Sequence, residues 1–194
     1  MKKSSFLSIV VLFLAIVPLR ADETEPLVLV VHGIGGGNRD DGWSDEIAKT
    51  WKTPVQEITF HMENRTGATS LTDFAAHAGD WALSVQQQIQ TAVRANPGRR
   101  VIILSHSWGT VATKIALDGG TGGGTSKELV ANTYGVPPIN LNGVEVEEWI
   151  TLGSPLGRAE DSTVAGNLRQ LNVDIPVGKP KVVKHWTNVY DEDD

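Results

Sequence analysis

Ser105-His106-Ser107-Trp108-Gly109 is the stretch of this chain best able to do chemistry. The β-branched run Val101-Ile102-Ile103-Leu104 precedes it and predicts a strand. Gly109 to Leu117, rich in small residues, follows it and predicts a helix. A serine on a sharp strand-to-helix turn presents its Oγ as a nucleophile. An alcohol is a poor nucleophile unless a base takes its proton. The turn must also be tight, which calls for small neighbours. Gly109 satisfies this, whereas Ser105 stands where the G-x-S-x-G pattern has its first glycine. The plainer alternative is that residues 105–107 form a polar strand end. The chain has no cysteine, which excludes a thiolate nucleophile, a disulfide and cysteine-ligated metal.

A second stretch with chemical potential lies upstream. Leu27 to Val31 is a continuous apolar run, which predicts a strand buried on both faces of a parallel sheet. His32-Gly33-Ile34-Gly35-Gly36-Gly37-Asn38 follows as a loop whose glycines permit close approach to a substrate. A nucleotide-binding reading of this loop fails on two counts. Asn38 occupies the place of the third glycine of G-x-G-x-x-G, and the chain has no G-x-x-x-x-G-K-[ST].

The remaining elements must position these two stretches. Trp43 to Trp51 predicts a short helix closed before Pro54, and Val55 to Met62 a second strand. Leu71, Phe74, Ala75, Ala78, Trp81, Ala82, Val85, Ile89 and Val93 recur at helical steps and mark one buried stripe. Ser70 with Asp73 resembles a capping box at its start, and Asn96-Pro97-Gly98 ends it. Residues 119–148 open with Gly119-Gly120-Thr121-Gly122-Gly123-Gly124 and read as a long excursion, with a short helix at 126–131. Its length and position suit a lid. Trp149 to Leu152 predicts a strand ending at Gly153-Ser154-Pro155, and Lys181 to Tyr190 the last strand. Strands alternating with helices predict a single α/β domain with a parallel sheet over residues 22–194.

Residues 1–21 read as a signal peptide rather than as structure. Lys2 and Lys3 form a basic start, Phe6 to Val17 an apolar run, and Ala21 a small residue at the cleavage position. An uncleaved membrane anchor is the alternative, although the apolar run falls short of the roughly 20 residues a span needs. The expectation is therefore an exported protein without a stable membrane span after cleavage. Removal of residues 1–21 takes away three basic residues and no acidic one, carrying the formal net charge from −6 to −9. That acidity argues against nucleic acid as a partner, since nucleic-acid affinity comes mostly from Lys and Arg on phosphates.

Four stretches together resemble the α/β-hydrolase family, and within it the lipase and esterase-like members. They are Leu27 to Gly35, Ser105 to Gly109, Ile150-Thr151-Leu152-Gly153-Ser154-Pro155-Leu156, and Trp186 to Asp194. The resemblance implies a mostly parallel sheet flanked by helices. It implies a serine hydrolase that cleaves a carboxylic ester, small or lipid, through an acyl-enzyme on Ser107. It places the oxyanion donors at the backbone N–H groups of Trp108 and Ile34, and gives His32 a structural role. It maps the triad acid onto Asp194, with Asp191 as the second candidate. No metal or organic cofactor is called for by this chemistry.

The triad histidine does not fit. The family carries it after the acid, whereas His32, His61, His77, His106 and His185 all precede Asp194. His106 lies inside the turn and is expected to point away from the nucleophile's pocket, and His185 to be a wall residue. The expectation is a truncated form of a longer hydrolase, lacking its last strand, histidine and helix, with impaired activity. The alternative is an exported, non-catalytic hydrolase-fold protein that binds a ligand or partner.

Overall fold

A computed structural model of the chain describes residues 25–33, 42–59, 71–118, 136–137, 139–154 and 178–189, with backbone alone at 71–78. In chain order these form β1 (Leu27–Val31), α1 (Trp43–Trp51), β2 (Val55–Ile58), α2 (Leu71–Ala95), β3 (Val101–His106), α3 (Trp108–Asp118), β4 (Val146–Leu152) and β5 (Val183–Val189). The strands make one five-stranded sheet in the order β2-β1-β3-β4-β5, and every pairing is parallel. This is the architecture of the α/β-hydrolase type that the sequence predicts.

The apolar runs explain the layers. All five residues of β1 are buried because the sheet is covered on both faces. Leu27, Leu29 and Val31 pack with Val101 and Ile103 of β3 against α2 and α3. Val28 and Val30 pack with Ile102 and Leu104 against Ile47 and Trp51 of α1 on the other face. Alternate residues of one apolar strand thus feed two cores. On α2 the predicted stripe is buried at Trp81, Ala82, Val85, Ile89 and Val93. The helix ends where Gly98 turns to φ 79 beside Pro97. On α1, Lys52 ends the helix at φ 52, and the Thr53 hydroxyl donates to Pro26 O at 3.3 Å, tying that end to the start of β1.

Three expected boundaries move, the last strand beginning at Val183 rather than Lys181. The strand expected from Trp149 begins at Val146, so the excursion expected over 119–148 gives up its last three residues to β4. The cause is a shift of register, in which Val146 and Glu148 of β4 stand against consecutive residues Val101 and Ile102 of β3. One extra residue breaks strict alternation, so Val146 and Trp149, three apart, both reach the α2–α3 core. Ahead of it, Val136 and Leu141 are buried in that same core. The strand expected over 55–62 is described as Val55–Ile58, with Thr59 beyond it. The signal segment 1–21, the loop from Ile34, His61, Ser70, the Gly-rich residues 119–135 with the lid expectation, Asp191 and Asp194 lie outside the described residues. Among the described residues no helix is long and apolar enough to cross a membrane.

Candidate active site

The strand order creates the site. From β1 the chain moves outward to β2, then crosses back to β3 on the other side of β1. The chain leaves the carboxyl ends of β1 and β3 in opposite directions, and such a switch point leaves a crevice where ligands bind in open α/β sheets. Ser107 follows the end of β3, and His32-Gly33 follows the end of β1. The two stretches singled out in the sequence therefore meet at the crevice.

Ser107 has φ 52, the left-handed region that non-glycine residues rarely occupy. Such strain costs on the order of 1–3 kcal/mol and persists only where the surroundings over-determine it. Here both sides of the residue are held. Its N–H donates to Leu152 O at 3.0 Å, while its carbonyl accepts from the Thr110 N–H at 3.0 Å and the Thr110 hydroxyl at 2.6 Å. Trp108 is the first residue of α3, where the helix macrodipole favours negative charge.

Two glycines let the pieces close. A Cβ on Gly109 would lie 2.3 Å from His32 O and 2.8 Å from Val31 O, so the backbone of α3 sits directly on the end of β1. A Cβ on Gly33 would lie 2.9 Å from Ser107 Cβ and 3.1 Å from His106 O. The loop that carries Ile34 thus leaves β1 in contact with the serine. Ile34 itself is beyond the described residues.

Ser105 has a partner that spacing alone does not suggest. Its Oγ accepts a 2.8 Å hydrogen bond from the indole N–H of the fully buried Trp149. A buried indole needs an acceptor, and a glycine at 105 would not provide one. Trp149 stacks on Trp186, with ring centroids 4.9 Å apart. The Trp186 N–H donates to Thr151 Oγ1 at 3.1 Å, and Thr151 donates to Asn188 Oδ1 at 2.7 Å. Each indole reaches a hydroxyl on the preceding strand, which makes a polar layer just beneath the turn. Of the six tryptophans, Trp51, Trp81 and Trp149 are buried in the cores, and Trp43, Trp108 and Trp186 pack against them.

The described histidines differ in how near they come to Ser107. His32 is buried, and its Nε2 lies 3.6 Å from Glu57 Oε1 on β2, the neighbour of β1 on the side away from β3. The His106 ring lies 4.8 Å from that of Trp43 on α1, and its Nδ1 would lie 3.4 Å from a Cβ on Gly33, the position that also crowds Ser107 Cβ. His185 pairs in register with Glu148, itself level with Ile102. Ser107 lies five residue steps beyond Ile102, or about 16 Å along the sheet. The side chains of His61 and His77 lie outside the described residues. β5 ends at Val189, level with Leu152 at the carboxyl edge of the sheet, and the acidic residues 191–194 follow it.

A family model described as "Putative serine esterase (DUF676)" matches residues 21–170. The chain belongs to this family. The match takes in β1 through β4, and with them both sides of the crevice, the strained serine and the Gly153-Ser154 turn. Membership supports a serine-esterase type of activity for the domain. No curated protein matches the chain.

The sequence passed over three described residues around the site. Thr110 holds the Ser107 carbonyl, Ser154 lies 2.8 Å from the Thr110 hydroxyl, and Trp149 holds Ser105. Ser154 and Trp149 lie 44 residues from their partners. Only strand order and register bring those pairs together, and no local spacing reports them.

Proposed function

We propose that the protein hydrolyses carboxylic esters, with Ser107 as nucleophile. The observation that carries this reading is the left-handed Ser107 between β3 and α3, backed by Gly33 at the switch point. The Ser107 hydroxyl adds to the ester carbonyl as a base takes its proton. The oxyanion accepts from the N–H groups of Trp108 and Ile34. The base then returns the proton to the leaving alcohol, and water hydrolyses the acyl-enzyme by the same route. Asp194, or Asp191, orients the base, since both follow the strand that ends beside Leu152 at the carboxyl edge. His185 does not serve as that base, since it lies about five residue steps down the sheet from Ser107, and His32 Nε2 faces Glu57 on β2 instead. The leader-like residues 1–21 support export, and a lid over the acyl site remains part of the reading for 119–135.

The placement of His32 and His185 favours a second reading, a hydrolase-fold protein that binds a ligand without turning it over. A fluorophosphonate probe separates the two. The esterase reading expects labelling of the wild type and none of Ser107→Ala. Without a base, labelling is weak, since only oxyanion-hole and binding contributions remain. Equal labelling of wild type and Ser107→Ala would overturn the assignment. Complete absence of labelling in a folded protein would favour the binding reading.

A further inference from the structure

The turn Leu152-Gly153-Ser154 at the end of β4 grips the strained serine on both of its peptide groups. Leu152 O accepts from the Ser107 N–H at 3.0 Å. On the other side, the Thr110 hydroxyl has a single proton, and the 2.6 Å contact with Ser107 O uses it. The 2.8 Å contact between Thr110 Oγ1 and Ser154 Oγ must then run from Ser154 as donor to Thr110 as acceptor. The direction of the relay is thereby fixed: Ser154 O–H to Thr110 Oγ1, Thr110 O–H to the Ser107 carbonyl. Thr110 is fully buried and Ser154 nearly so, which removes water as a competing partner and strengthens each link.

Gly153 makes the double grip possible. Its φ of 52 turns the chain so that residue 152 reaches the amide side of Ser107 and residue 154 reaches the carbonyl side. The Gly153 N–H in turn donates to Val189 O at 3.0 Å, so the clamp is anchored on the last residue of β5.

We infer that Ser154 and Thr110 are positioning residues which, through this hydroxyl relay, hold Ser107 in the left-handed conformation that presents it for reaction. The inference rests on the reading of Ser107 as nucleophile, but the grip itself can be measured without it. Ser154 reaches the serine through Thr110, so the two are expected to be non-additive.

Two measurements on the full chain test this, with Thr110→Val, Ser154→Ala, the double variant and Thr110→Ser. The first is amide hydrogen exchange at Ser107 and Thr110, whose N–H groups are bonded to Leu152 O and Ser107 O, alongside the melting temperature. Thr110→Val and Ser154→Ala are expected to speed exchange at these two amides while the amides of β1 stay protected. The second is the rate of fluorophosphonate labelling. Each single variant is expected to slow it about tenfold, the scale of one lost hydrogen bond to a reacting group. The double variant is no slower than Thr110→Val, and Thr110→Ser, which keeps the hydroxyl, restores the rate. Unchanged local exchange in Thr110→Val and Ser154→Ala would overturn the clamp, as would labelling within about twofold of wild type or additive losses. If wild type is not labelled at Ser107, the nucleophile reading fails instead, and the exchange measurement still decides whether the relay holds the turn.

Discussion

Gly33 stands so close to Ser107 that a Cβ built on it would lie 2.9 Å from the Cβ of the serine. No real Cβ pair tolerates that distance, so the loop after β1 and the turn after β3 are fitted to each other through the absence of one atom. The Gly33→Ala variant must push the loop away or displace Ser107. Either movement separates the two sides of the crevice. A displacement of about 1 Å at a reacting group costs up to about a hundredfold in rate. The variant is expected to label with fluorophosphonate 10- to 100-fold more slowly, on the order of that limit, and to melt at a lower temperature as well. Labelling at the wild-type rate would show that the loop does not contribute to the reaction.

Gly109→Ala is expected to act on folding rather than on rate alone. Its Cβ would meet two backbone oxygens, His32 O and Val31 O, and neither can swing aside as a side chain does. Overpacking of this kind costs about 1–3 kcal/mol or more. In a chain of this size each kcal/mol lowers Tm by roughly 2–4 °C. Calorimetry of the purified variant checks this, and an unchanged Tm would contradict the close approach of α3 to β1.

Ser105→Gly restores the first glycine of the motif and is nevertheless expected to destabilise the protein. It leaves the buried Trp149 N–H without its acceptor, a loss of about 1–3 kcal/mol. Adding Trp149→Phe removes the orphaned donor, so the double variant is expected to be more stable than the sum of the single losses implies. Urea unfolding of the two single variants and the double variant completes the cycle.

The pair formed by the buried Lys114 and the half-buried Asp118, one turn apart on α3, gives a pH prediction. Burial pushes the Lys114 ammonium below its usual 10.5, opposed by the attraction of Asp118. Burial pushes the Asp118 carboxyl above 3.8, opposed by Lys114. The unfolded chain therefore holds the lysine proton more tightly, and stability rises with pH between the folded lysine value and 10.5. The folded chain holds the aspartic proton more tightly, and stability falls as pH rises from 3.8 through the folded value. Lys114→Met alone removes the ammonium that faces the half-buried Asp118 carboxylate and is expected to destabilise at neutral pH, and less in acid. Lys114→Met with Asp118→Leu is expected to be neutral or stabilising and to flatten both pH windows. Urea unfolding across pH measures each of these outcomes.

Much of this molecule was legible in the order of its residues. The continuous apolar runs at 27–31 and 101–104 pointed to strands covered on both faces, and the long stripe ending at Val93 to a helix. Ser107 between such a strand and a small-residue helix was legible for the same reason, since strand, turn and helix are local patterns. The start of β4 was not, because the register shift at Val101/Ile102 breaks the alternation that a reader of sequence relies on. Nor was the reason for serine at 105, which depends on an indole 44 residues away. The sequence by itself determined which segments are strands and helices and where a nucleophile would stand, because hydrophobic period and turn chemistry act between near neighbours. Only the tertiary structure decided that the loop of Gly33 backs onto Ser107, that the turn at Gly153 clamps it, and that His32 and His185 lie away from it. Those relations are set by strand order and register, which join residues the chain keeps far apart.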